Sequence, residues 1–246
     1  MAPLIVRFYD PQEHAKDANG RTLEQILSWP DSKLESCHNY IQMLFPVPEG
    51  SAFSWEAPII NRETMDAFRS RSELRESLRR SFKRMLSFYG FEVAHQARST
   101  QDATPSLAPG APSNNVASLE YHIVRSSDWE VCFKNWVHRS DHNHLRISRI
   151  LRCLRILGLQ KECDAFFAAL KEVYKDPKLN IGDTSMDFWT RAATRALYLA
   201  PDNQRIGWLK EWEEEQEAAK VSKEDGEETK KVEDEGKKAA EEEEKA

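Results

Sequence analysis

Residues 138–158, His-Arg-Ser-Asp-His-Asn-His-Leu-Arg-Ile-Ser-Arg-Ile-Leu-Arg-Cys-Leu-Arg-Ile-Leu-Gly, constrain the fold more than any other stretch of this chain. Asn143 is suited to cap a helix start, because its side-chain oxygen accepts from the free N–H groups of a first turn. Gly158 is suited to end one, because it tolerates the left-handed conformation. At about 100° per residue, Ile147, Ile150, Leu151, Leu154 and Leu157 fall within an arc of roughly 120°. Arg149, Arg152 and Arg155 lie opposite, and Arg146 sits at the boundary. Leu145 and Ile156 fall on the arginine side near the two ends. The pattern predicts a surface helix with one buried face.

The arginine row has two readings. It is a solvated face paired with carboxylates of neighbouring helices, or it is a surface for phosphate, nucleic acid or an acidic peptide. Guanidinium forks suit bidentate recognition of such anions. The helix carries no Glu or Asp, so the usual i,i+4 partners are missing.

Most of the remaining chain reads as short helices punctuated by Pro and Gly. Thr22–Trp29 forms one, ended by Pro30. Asp31 caps the next, with Leu34, Cys37, Ile41 and Leu44 on one side and Pro46 as its stop. Phe45 to Pro58 is a proline-punctuated aromatic loop that packs on the core or forms a ligand rim. A short helix starts at Asn61 and runs through Phe68. Ser72–Tyr89 is strongly amphipathic, with Leu74, Leu78, Phe82, Met85, Leu86 and Tyr89 on one face and Gly90 after it. Its basic face carries Arg80, Lys83 and Arg84, with Arg75 and Arg79 nearer the apolar edge. Residues 96–117 are a Ser/Pro/Ala-rich, flexible insertion. Tyr121–Arg125 reads as extended. Trp129, Cys132, Phe133, Trp136 and Val137 suggest a helix with an aromatic side. Glu162–Tyr174 is a further helix, and another runs from the Asp183–Ser185 caps through Leu199. Strict polar/apolar alternation is scarce. The fold class is therefore mainly α, a single multi-helix globular domain over residues 1–210 with an internal loop at 96–117.

The net charge of −6 is unevenly placed. Residues 211–246 hold 16 acids and 7 lysines, so the first 210 residues carry 28 basic and 25 acidic groups. The tail is too poor in apolar residues to offset the entropy of ordering, and reads as helical at its start, then disordered. No apolar run is long enough for a spanning helix, which leaves at most peripheral membrane association. The N-terminal residues lack a signal-peptide pattern. Cys37, Cys132, Cys153 and Cys163 show no C-x-x-C spacing and read as reduced thiols of an intracellular protein.

His138 and His142 are four apart, with His144 close by, which raises a zinc or nickel site. His-Glu-x-x-His is absent, however, and a helix starting after His142 breaks the shared face. The expectation is no metal and no cofactor. Cys37 beside His38 is not a nucleophile–base pair, since neighbours on a helix point about 100° apart. A phosphate loop, a Gly-x-Ser-x-Gly elbow and a dinucleotide fingerprint are all missing. No catalytic residue is assigned.

Three ordered blocks carry a resemblance. The first is Trp29 to Pro46, with His38-Asn-Tyr-Ile-Gln42 followed by Leu44-Phe-Pro46, continued by Ser54-Trp-Glu-Ala-Pro58. The second is Ser81 to Gly90. The third is His142-Asn-His-Leu-Arg-Ile-Ser-Arg-Ile-Leu151, then Leu157-Gly158. Together they are similar to the N-terminal domain of the opioid growth factor receptor family, over roughly residues 5–200 outside the insertion. The resemblance implies a helical domain, a receptor for an enkephalin peptide, growth inhibition, and association with the nucleus and its envelope. The Lys/Glu tail differs from the C-terminal repeats of the family's named vertebrate member.

The leading expectation is a non-enzymatic regulatory or binding protein for an unknown peptide or protein ligand. Its candidate contacts are His38, Asn39, Tyr40, Gln42, His142, Asn143, Arg146 and Arg149. The alternative use of the two His-Asn blocks is a clasp that ties helix ends together. A second reading is nucleic-acid or other anionic-partner binding through Arg146, Arg149, Arg152 and Arg155, aided by Arg79, Arg80 and Arg84. A third is an enzyme using the histidine cluster. The compartment expected is cytoplasmic or nuclear.

Overall fold

The computed structural model describes residues 1–50, 57–94 and 121–222. The insertion at 96–117, part of the aromatic loop and the tail beyond 222 lie outside the described residues. The chain divides into two compact units, Met1–Arg195 and Ala196–Ala246.

The first unit is mainly helical, as the sequence predicts. Its helices are α1 (Leu4–Tyr9), α2 (Leu23–Leu27), α3 (Asp31–Ser36), α4 (Ile41–Leu44), α5 (Arg62–Ser70), α6 (Ser72–Tyr89), α7 (Trp129–Cys132), α8 (His142–Ile156), α9 (Gln160–Lys175) and α10 (Asp183–Thr194). A 3-10 turn, Phe133–Asn135, follows α7. Strands β1 (Phe91–Ala94) and β2 (His122–Arg125) form an antiparallel pair, with Phe91 opposite Arg125 and Ala94 opposite His122. The extended reading of 121–125 holds; its partner strand follows Gly90 directly.

Local chemistry explains the boundaries. Thr22 and Gln25 make a reciprocal capping box on α2. Asn61 Oδ1 accepts from Thr64 N at the head of α5. Gly90, at φ +83°, ends α6, and a Cβ there would come within 2.9 Å of Cys132 Cβ. The chain must pass α7 this closely to begin β1, so glycine is required twice over.

Two boundaries depart from expectation. The helix read from Asp31 to Leu44 is broken at Cys37–Tyr40, giving α3 and α4. The break lets Tyr40, Ile41, Met43 and Leu44 turn inward together. The last helix of the unit stops at Thr194 rather than Leu199, because Arg195 takes extended backbone.

Helix α6 packs against α1, α5, α7 and β1, while α8, α9 and α10 pack on one another. Aromatic rings join the two groups. Phe82 and Tyr89 of α6 lie 5.4 and 6.5 Å from Phe166 of α9, and Tyr89 lies 5.6 Å from Trp136. Trp136 continues the chain of rings to Trp189 of α10 at 6.4 Å. Trp136 also donates its indole N–H to the Tyr89 carbonyl at 3.0 Å, so the largest core ring leaves no unpaired donor. Cys153 and Cys163 are buried free thiols, and burial pushes the Cys163 thiol up to about 12. They behave as small apolar groups.

In the second unit, helix α11 spans 207–222 and runs into the charged segment. The Glu213 carboxylate accepts from the backbone N–H groups of Leu197 and Tyr198, at 2.8 and 3.1 Å. One side chain of α11 thereby fixes the segment that precedes it.

Candidate functional site

The segment from Glu35 to Gly50 is mostly irregular, so several of its carbonyls have no helix or sheet partner. Buried carbonyls of this kind need donors from elsewhere. Helix α8 supplies them. Arg146 donates through Nη2 to the carbonyls of Cys37 (3.0 Å) and Glu35 (3.3 Å), and through Nη1 to Asn143 Oδ1 (3.0 Å). Its guanidinium also lies over the Tyr40 ring, 5.5 Å from the centroid. Asn143 Nδ2 donates to Glu35 Oε2 at 3.2 Å. Burial pushes the Tyr40 hydroxyl up to about 12, against the opposing pull of Arg146.

Further along α8, Arg149 donates to the carbonyls of Phe45 (3.2 Å) and Gly50 (3.1 Å). Its burial lowers the guanidinium's pKa. Arg152 is 1% exposed and meets Glu49 Oε1 at 2.9 Å. Arg155 donates to the Ala192 carbonyl of α10 at 3.0 Å. Arg69, from α5, closes the C-terminal end of α8 by donating to the carbonyls of Ile156 and Arg155, at 3.0 and 3.1 Å.

These contacts correct the expectation of a surface helix. Helix α8 is packed on nearly all sides, and its arginines are spent on acceptors within the chain. The cause is geometric. Carbonyls and carboxylates presented by the 35–50 segment accept charged donors, so an arginine row is buried without isolated charge. The N-cap is also corrected. Asp141 Oδ1 accepts from Asn143 N at 2.8 Å, and α8 begins at His142. Asn143 is fully buried and serves the clasp instead.

Above the buried contacts the same two blocks meet at the surface. His38 and His142 are exposed, and their rings lie 5.3 Å apart. His142 Nε2 is 3.1 Å from Glu35 Oε1, and His38 Nδ1 is 3.1 Å from the Ser36 carbonyl. Asn39 is exposed too, held by Arg21 Nη1 at 2.8 Å. Of the ten sequence-derived candidates, His38, Asn39 and His142 form this rim. Tyr40, Gln42, Asn143, Arg146 and Arg152 lie beneath it or deeper, and Arg149 and Arg155 are half-buried. No group of three His, Cys, Asp or Glu side chains arranged for a metal ion occurs among the described residues.

A hollow of about 310 Å³ opens beside the rim. Asp141 and His142 line it from the head of α8, with Leu145 and Ser148 one and two turns further, while Ser185 and Phe188 close it from α10. His144 sits in its wall, 4% exposed. The sequence reading missed Glu35, Glu49, Asp141 and Ser185. The two glutamates carried a signal, since an arginine helix without its own acids must find them elsewhere.

The model of the family described as "Opioid growth factor receptor (OGFr) conserved region" matches residues 3–104 and 117–196. This chain belongs to the opioid growth factor receptor family. The unmatched gap between the two blocks falls inside the Ser/Pro/Ala insertion. The chain is 36% identical to the opioid growth factor receptor of Rattus norvegicus over 145 residues, covering 58% of this chain and 21% of that protein. It is 33% identical to the Homo sapiens receptor over the same share of this chain and 18% of that protein. Opioid growth factor receptor-like protein 1 of Mus musculus is 28% identical over 63% of this chain and 28% of its own length. The chain thus spans less than a third of the curated relatives it matches. No solved structure matches it. No helix of the described residues is long and apolar enough to cross a membrane.

Proposed function

We propose that this chain is a receptor-like binding protein that takes a peptide ligand on the rim formed by His38, Asn39 and His142. One observation carries the reading. Two blocks roughly a hundred residues apart in sequence put their imidazoles 5.3 Å apart on the surface, while the residues beneath lock the two segments together. The buried layer fixes the rim's geometry, and a rigid scaffold of this kind lowers the ordering cost of binding. The adjacent hollow, with Leu145 and Phe188 as apolar walls, offers room for a peptide side chain. The relatives are named as receptors for an opioid growth factor, which makes an enkephalin peptide the ligand to try first.

The test is fluorescence anisotropy of a labelled enkephalin titrated with the full chain. Saturable binding is expected, weakened about tenfold or more by His38→Ala combined with His142→Ala, a loss near 1.4 kcal/mol. Both side chains are exposed, so the double variant keeps its melting temperature. Absence of saturable binding, or equal binding by the folded double variant, sinks the proposal. A nuclear or nuclear-envelope location belongs to the same proposal and is read by imaging the tagged chain in cells.

A further inference from the structure

We propose that Ser185 and His144 form a nucleophile–base pair that takes an acyl group from a small ester whose acyl chain is apolar. This goes beyond the receptor reading and does not depend on it. Three groups stand in line. His144 Nε2 is 2.8 Å from the Trp136 carbonyl, and His144 Nδ1 is 2.7 Å from Ser185 Oγ. A carbonyl only accepts, so the imidazole proton resides on Nε2. Nδ1 is then an acceptor, and the Ser185 hydroxyl donates to it. Nucleophile, base and orienting acceptor have the geometric roles of a serine–histidine triad, with a backbone carbonyl in the third place.

The surroundings hold this arrangement. The His144 ring meets Trp189 edge-on at 5.2 Å, and the Trp189 indole N–H donates to the His144 carbonyl at 3.0 Å. Burial lowers the imidazole's pKa, which keeps it neutral and able to accept a proton near pH 7. Ser185 itself is half-exposed and faces the hollow. Leu145 and Phe188 give that hollow an apolar side for an acyl chain. Ser185 also occupies the first turn of α10, where the N–H groups of Asp183 and Thr184 have no acceptor within their own helix. Such donors favour the negative charge that develops on an attacked carbonyl oxygen.

The step balances within the site. Ser185 Oγ bonds to the ester carbonyl carbon and its proton passes to His144 Nδ1. The bond between carbonyl carbon and alkoxy oxygen breaks, and the departing alcohol takes that proton. Water then adds to the acyl carbon and gives a proton to Nδ1, the bond between acyl carbon and Ser185 Oγ breaks, and the restored Ser185 oxygen recovers that proton. The sum is ester plus water giving acid plus alcohol.

The experiment exposes the full chain to p-nitrophenyl butyrate and, separately, to a fluorophosphonate, followed by peptide mass mapping. An adduct on Ser185 is expected, absent at that position in Ser185→Ala and formed about 100-fold more slowly in His144→Gln. The exposed Ser70→Ala variant should label at the parent rate. Among the described residues the Ser185 hydroxyl bonds to His144 alone, so Ser185→Ala is expected to stay folded, and its thermal melt reads this directly. An unlabelled parent chain, an adduct on another residue, or unchanged labelling in folded His144→Gln each overturns the proposal. A lower melting temperature in Ser185→Ala with no label on the parent would make the pair a structural strut only.

Discussion

The Arg146→Met substitution separates a clasp from a binding face. Methionine keeps most of the apolar stem and removes the guanidinium, so the change reads polar contacts rather than volume. In the parent chain Arg146 is 5% exposed and serves the carbonyls of Cys37 and Glu35, the Asn143 amide oxygen and the Tyr40 ring. Each part-buried acceptor left without its donor costs about 1 kcal/mol, and the ring contact is worth roughly 1 kcal/mol more. The loss is therefore about 4 kcal/mol, in the range found when one member of a buried pair is removed. The assay is urea unfolding followed by tryptophan fluorescence. At a slope of about 2–3 kcal/mol per molar urea, the midpoint should fall by roughly 1.3–2 M. The control is Arg80→Met, which breaks an exposed pair with Glu24 and should cost under about 1 kcal/mol. The Arg146 effect should also survive 0.5 M NaCl, because buried pairs are weakly screened. A midpoint shift no larger than that of Arg80→Met would refute the clasp and return the α8 arginines to the role of a partner surface.

Three further outcomes follow from single sites. The Tyr89 hydroxyl is buried and has no hydrogen-bond partner among the described residues, so Tyr89→Phe should raise stability by about 1 kcal/mol in the same urea assay; a loss of that size would show that the hydroxyl is paired in solution. His144 has a folded-state pKa below its ordinary 6.5, chiefly through burial, so the unfolded chain binds the extra proton first; stability should be full above about pH 6.5 and decline as pH falls toward the lowered value, a decline that disappears in His144→Gln. A Cβ on Gly182 would lie 2.4 Å from the Arg139 carbonyl, so Gly182→Ala should push the start of α10 away and lower the melting temperature by several degrees; an unchanged melt would mean that the 139 loop yields freely.

What was legible in the sequence follows from how local each cause is. Helix α6 could be read with its end because its apolar stripe, its basic face and Gly90 all lie within twenty residues. The helical class and the two His-Asn blocks were legible for the same reason, and the blocks do converge. The state of α8 was not legible, because it is set by groups far away in the chain. Angular sorting puts Arg152 opposite Leu154, and in isolation that residue faces water. Only the fold brings Glu49 to it, at 2.9 Å, and only the break at Cys37–Tyr40 turns carbonyls toward Arg146. The Ser185–His144 contact is likewise set by how α10 lies across α8, and neither residue's neighbours in sequence announce it. The same long-range contacts decide what the site can offer. Because Arg146 and Asn143 are consumed beneath the surface, the proposed peptide recognition rests on His38, Asn39 and His142 above them. A substitution at Arg146 should therefore weaken ligand binding only by loosening the rim, in step with stability, whereas one at His38 should weaken binding and leave stability alone. Measuring both quantities for both positions distinguishes the residue that makes the site from the residues that are the site.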